Sequence, residues 1–319
     1  MNKIVWLALL QVVLVNFAAA QTINTTNTYR DMPTNRYVCY NYENDFFKAT
    51  DELYTQGINL EYAAPSLQKL PTSRVLLLPK NYVPHYKIAL QHNAYTPQSI
   101  QDPNLRRGDQ PYAAALLLQF SNTATHPNRT LRVSTTLSAG VLGYIAGGEW
   151  MQNTIHRNLK NVMPQGWKYQ IANDIALNYR LQVEKQLLYI NTILLINGTA
   201  STDVGTLLNR ASAGTNIALG LFNNPYHPTD GTLKYTVRLY AHPQVHAIAY
   251  DATLQGGFIG NSTYTLTPKQ IERIVFDNRY GIVLQLNKLY LEYYYQNTSR
   301  TFTTGKAHTW GGLMIGLWF

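Results

Sequence analysis

The chain has a single cysteine, Cys39, in 319 residues, so no internal disulfide is available to it. Charged side chains are scarce at 13%, and after the first twenty residues no apolar run reaches the eighteen or so that a spanning helix needs. HExxH, paired CxxC motifs and a phosphate-binding glycine loop are absent, as is a serine nucleophile elbow. These absences exclude a disulfide-framed secreted domain, a helical membrane protein and the common zinc and nucleotide-binding enzymes.

The first twenty residues place the chain outside the cytoplasm. Lys3 precedes an apolar run over 4–15 and then Ala18, Ala19 and Ala20, the order of a secretory signal, so residues 1–20 read as a signal peptide and 21–319 as the exported domain. Tyrosine is abundant, at 24 residues, which suits strands with amphipathic faces. The formal net charge of +9 fits an anionic partner. For an exported chain that partner is a lipid phosphate and not a nucleic acid. The same excess also reads as solvated lysine and arginine.

Period-two alternation recurs along the chain, as in Tyr112, Ala114, Leu116, Leu118 and Phe120 against Ala113, Ala115, Leu117 and Gln119. Strands are expected at 38–45, 53–62, 84–93, 111–121, 130–143, 173–184, 187–197, 204–222, 233–247, 272–286, 288–297 and 308–319. The count is even, and each segment is about long enough to cross a bilayer as a tilted strand. Leu313, Ile315, Leu317 and Phe319 share one face of the last strand. An amphipathic strand ending in phenylalanine resembles the outer-membrane β-barrels of Gram-negative bacteria. The expected fold is an all-β, antiparallel transmembrane barrel of about twelve strands, with a short helix in an extracellular loop. A soluble sandwich would show similar alternation. With both termini periplasmic, the first hairpin loop and the segment after the fifth strand share the extracellular end.

That second segment, residues 147–157 (GGEWMQNTIHR), is helix-compatible and carries Gln152 and His156 four apart, on one face. A neutral imidazole takes a proton near neutral pH if a neighbour holds its ring, and Gln152 is a candidate neighbour. At the first hairpin, Asp45 alternates in phase with Asn41 and Glu43 and so faces the lumen, beside Asn44 and across from Thr55. These oxygens suit a hard cation such as calcium, though spacing alone favours reading them as a polar network capping the barrel. His242 and His246 share a strand face and read as lumen or rim residues. Asn128 to Thr130 and Asn197 to Thr199 match glycosylation sequons and read as turns.

Several blocks, taken in order, resemble the lipid A 3′-O-deacylases of the outer membrane: Asn44-Asp45, Tyr54-Thr55-Gln56-Gly57, Arg107-Gly108-Asp109-Gln110-Pro111-Tyr112, Gly147-Gly148, Gln152-Asn153, His156-Arg157, and Trp167 with Gln170. The blocks span about 44–174, and the C-terminal half matches only as barrel strands. The resemblance implies a twelve-stranded barrel that cuts an ester-linked acyl group from lipid A in lipopolysaccharide, using calcium at a site between the wall and a helix. It implies His156 as general base with Gln152 beside it, Asn44 shaping the site, and Asp45 and Thr55 as metal-site contributors. Two positions depart from the family pattern. Val162 stands where an acidic residue is expected, leaving Asp174 or Glu149 as substitutes, and a lysine after the third strand has no counterpart, leaving Arg106 or Arg107 to meet a lipid A phosphate. Arg107 and Asp109 also read as a structural ion pair. A small channel, a structural or adhesive barrel, and a serine-type outer-membrane phospholipase are the other readings.

Overall fold

The computed structural model describes residues 23–48, 50, 52–227 and 233–319, so the signal segment lies outside the described residues. Twelve antiparallel strands close into one barrel. They are β1 (Tyr37–Asn44), β2 (Leu53–Ala63), β3 (Tyr86–Thr96), β4 (Ala113–His126), β5 (Leu131–Leu142), β6 (Asp174–Ile190), β7 (Leu194–Gly205), β8 (Leu208–Leu221), β9 (Tyr235–Asp251), β10 (Ile274–Leu286), β11 (Leu289–Thr298) and β12 (His308–Trp318). Closure comes from β1 pairing with β12, in a register running from Tyr37 opposite Trp318 to Asn44 opposite Gly311. Every strand therefore has two neighbours, and no backbone edge faces lipid.

The expected alternation holds in β1, where Asn41 and Glu43 are buried while Val38 and Tyr40 are exposed. The boundaries around β6 and β7 differ from expectation. β6 runs on to Ile190 through a bulge between Gln186 and Leu188, and the turn falls at 191–193. The continuous apolar run over 187–190 hides the phase change that a bulge introduces. Asn197, read as part of a turn, is instead a lumen residue of β7 that donates to Glu184 at 2.7 Å.

A segment of the chain and a polar network occupy much of the lumen. Residues 23–32 run inside the wall: Arg30 Nε lies 2.9 Å from Glu292, Thr28 Oγ1 donates to Glu184, and Arg238 donates to the Tyr29 carbonyl at 2.7 Å. Buried carboxylates need several donors to offset lost hydration, and tyrosines supply many of them. Glu43 accepts from Tyr54 (2.9 Å), Tyr294 (2.6 Å) and Trp310 (3.2 Å), and pairs with Arg279 at 3.0 Å. His242 and His246 are buried here as well, as expected of lumen residues. Among the described residues this packing lies across the interior that the channel reading requires to be open, with a cavity of about 640 Å³ left toward the terminal end.

Candidate active site

At the end of the barrel away from the termini, β5 leads into helix α1 (Gly148–Leu159), the segment predicted to be helical. Its buried residues are Gly148, Gln152 and His156, four apart, so they form one stripe. The stripe faces the outside of the wall. Ala114 beneath it shares a strand face with exposed Leu118, and His92 shares one with exposed Leu90. Gly148 permits this approach, because a Cβ there would lie 2.5 Å from Ala114 Cβ and 2.7 Å from the Trp167 ring. Ala94, Tyr112, Ala114, Ala146 and Trp167 form the apolar pad between helix and wall.

The helix ends at Lys160, whose left-handed φ of 55° reverses the chain, and Asn161 N–H donates back to the His156 carbonyl at 2.8 Å. This reversal returns Val162 to the stripe, where its carbonyl oxygen lies 2.6 Å from His156 Nδ1. A carbonyl can only accept, so Nδ1 holds the proton and Nε2 is the basic nitrogen. The residue where a carboxylate was expected thus contributes through its backbone, a role with no signal in its side chain.

Gln152 joins helix and wall. Its Nε2 donates to Thr55 Oγ1 at 3.1 Å and its Oε1 accepts from Trp167 Nε1 at 2.7 Å. Thr55 is accessible to the helix because a bulge between Tyr54 and Gln56 breaks the β2–β3 register. Asn44 Nδ2 donates to the Thr55 carbonyl at 2.5 Å, and Asn44 Oδ1 accepts from Phe46 N–H at 2.7 Å. Asp45 is buried beside it, at the start of a 3-10 turn, and accepts the Glu52 N–H at 2.5 Å. Asn44, Asp45, Thr55, Gln152, His156 and Trp167 are therefore brought to one end of the barrel, with Thr55 as the link. Gln56, 3.3 Å from His92 Nδ1 and bonded to Met151 of the helix, is a further bridge.

Other candidates fall elsewhere. Asp174 receives the N–H groups of Ile259 (2.6 Å) and Gly260 (3.1 Å), which brace the 252–273 segment to the head of β6. Glu149 lies in the first turn of α1, where a negative charge suits the helix dipole. Arg106, and not Arg107, pairs with Asp109, at 2.9 Å, while Arg107 is exposed. The hydrogen bond that Arg106 donates to Asp109 raises the Arg106 pKa above its usual value.

Among the described residues no three His, Cys, Asp or Glu side chains converge on a metal position. The oxygens of Asp45, Asn44 and Thr55 are nonetheless the hard donor type that calcium accepts, with neutral amide, hydroxyl and backbone oxygens making up for few carboxylates. The donor chemistry fits that cation, in a shell of low charge.

A closed twelve-stranded antiparallel barrel with an exposed apolar outer face and one short helix on its flank is an outer-membrane β-barrel. The chain matches the model of the family "Outer membrane protein LpxR" over residues 5–319 and belongs to that family. Its location is the outer membrane, and the resemblance to lipid A deacylases read from the sequence is borne out. LpxR from Salmonella typhimurium matches in structure with a TM-score of 0.73 at 18% identity, covering 89% of this chain and 100% of that one. The β domain of the Bordetella autotransporter BrkA matches at TM-score 0.42 and 9% identity, over 89% of this chain and 98% of that one. No curated protein matches by sequence.

Proposed function

We propose that this outer-membrane protein is a lipid A deacylase that hydrolyses the ester-linked 3′-acyloxyacyl group, with His156 as general base and calcium as cofactor. The observation that carries this reading is the Val162 carbonyl on His156 Nδ1, at 2.6 Å, in a stripe pressed against the outer wall. That contact leaves Nε2 as the proton acceptor, on the flank where membrane lipid lies. His156 would take a proton from water as the water attacks the ester carbonyl, then return it to the departing hydroxyl of the sugar. Gln152 acts as a positioning residue, held by Thr55 and Trp167. Asp45, with the Thr55 and Asn44 oxygens, would hold the calcium. When bound, the cation supplies Lewis-acid polarisation and charge stabilisation at the ester oxygen. Arg107, exposed at the rim, and Arg106 are the candidates for a lipid A phosphate.

A second reading rests on Ser212, whose Oγ lies 2.7 Å from His246 Nδ1 while His246 Nε2 lies 3.2 Å from Asp277. This is a serine-histidine-aspartate contact series, as a serine-type phospholipase would use. All three are buried on the lumen side, away from the lipid-facing wall, which favours His156. The test is mass spectrometry of lipid A from cells making the wild type, His156→Ala or Ser212→Ala, with membranes given calcium or a chelator. Loss of one acyloxyacyl unit by wild type and Ser212→Ala, with calcium and without His156→Ala activity, is expected. Activity that survives His156→Ala and disappears in Ser212→Ala would reverse the assignment.

A further inference from the structure

Barrels of this class keep their turns short at the end that carries the termini. Here the links at 127–130, 191–193 and 287–288 are short, the one between β8 and β9 covers 222–234, and the one between β2 and β3 is longer still, 64–85. It does not hang free. Its two 3-10 turns (Pro65–Lys69 and Pro71–Val75) lead into a stretch laid across the outside of the barrel. Asn122 Nδ2 donates to the Leu77 carbonyl at 2.8 Å, Leu77 N–H donates to Thr135 Oγ1 at 3.1 Å, and Tyr179 OH donates to the Val75 carbonyl at 2.8 Å. Asn122 and Thr135 occupy outward positions of β4 and β5, where an unpaired polar group facing hydrocarbon is costly. Both are fully buried beneath this strap, which spends its backbone groups on them. Leu76 is buried, while Leu70, Val75, Leu77 and Leu78 are exposed.

The charge around these leucines has one sign. Lys69, Arg74 and Lys80 are exposed, and no Asp or Glu occurs between Glu61 and Asp102. The cationic character continues around the same rim with Arg36, Arg129, Lys185, Lys234 and Lys288, all exposed. Apolar side chains beside unopposed cations, on the membrane side of a barrel, complement a molecule with acyl chains and an anionic headgroup. We propose that the 64–80 strap and its cations form a binding surface for anionic phospholipid in the leaflet at the terminal end, opposite the His156 site. The proposal is independent of the deacylase reading.

The full-length protein is reconstituted in phosphatidylcholine vesicles carrying trace spin-labelled phosphatidylglycerol or spin-labelled phosphatidylcholine, and the motionally restricted fraction of each is measured by electron paramagnetic resonance. Phosphatidylglycerol should be preferred roughly threefold at low salt, a preference that falls toward unity at high salt and in Lys69→Gln/Arg74→Gln/Lys80→Gln. Equal association with the wild type at low salt overturns the proposal, as does a preference that the triple variant keeps in full. The salt titration needs no variant and holds even if the triple variant does not fold. A nitroxide on Leu77→Cys, with Cys39 buried and unlabelled, should be reached by oxygen and shielded from a water-soluble nickel complex. The opposite ranking would place the strap against water or another protein and also overturns the proposal.

Discussion

His156 has its protonated nitrogen assigned by a backbone oxygen, so the side chain at position 162 is free to be valine without losing the contact. Exchanging Val162 for glutamate should then leave the His156 contact intact and chiefly add charge for the cation; the calcium concentration giving half-maximal deacylation should fall. His156→Ala should lower deacylation by at least about 100-fold, the lower end of what a general base contributes, with heat-modifiable mobility unchanged. Trp167→Phe removes the donor from Gln152 Oε1 and leaves that oxygen buried without its indole partner. A loss of about 1–3 kcal/mol in positioning is expected, read as a fall in kcat of roughly 5- to 150-fold. An unchanged rate would show that Gln152 does not need that anchor.

At the scale of the element, α1 reaches the wall because position 148 has no side chain. Gly148→Val would place carbon where Ala114 and the Trp167 ring already stand, and the helix would have to lift as a unit with Gln152 and His156 upon it. Deacylation should be lost while the barrel, held by strand pairing that does not involve the helix, keeps its heat-modifiable mobility. Lys160 is the second control point, since its left-handed conformation returns the chain to His156. Lys160→Gly should preserve activity, and Lys160→Val should reduce both activity and protection of the 148–163 amides from hydrogen exchange, because a branched residue adopts that conformation at a cost of roughly 1–2 kcal/mol.

Over the whole molecule, the wall is closed by pairing and its interior is crossed by the 23–32 segment. Arg30 and Glu292 are fully buried partners, and removing one leaves the other charge in the interior. Arg30→Ala should therefore destabilise the barrel by about 3–5 kcal/mol, seen as a lower temperature for the shift in electrophoretic mobility. In planar bilayers the wild type should show no steady conductance. A stable open channel would contradict a lumen occupied by residues 23–32.

The twelve strands, the helix and the face that Gln152 shares with His156 were legible in the sequence, because alternation and four-residue spacing are local consequences of backbone geometry. Gln152, expected to hold the His156 ring, is bonded to Thr55 and Trp167. That Asn44, Asp45 and Thr55 meet at one end of the first hairpin was also legible. Hairpin phase placed Asp45 and Thr55 toward the lumen, whereas Asp45 opens a 3-10 turn beyond β1 and a bulge turns Thr55 to the helix on the outer wall. What only the tertiary structure decided were the contacts made through groups common to every residue or between segments far apart in the chain: the Val162 carbonyl on His156, the bulge that turns Thr55 toward the helix, Asp109 bonded to Arg106, and Asp174 committed to the 252–273 segment. The occupation of the lumen by residues 23–32 and the strap over Asn122 and Thr135 belong with them. A strand's own pattern tells which side chains point inward or outward, but what covers each face is set by which distant segment finds unsatisfied polar groups there.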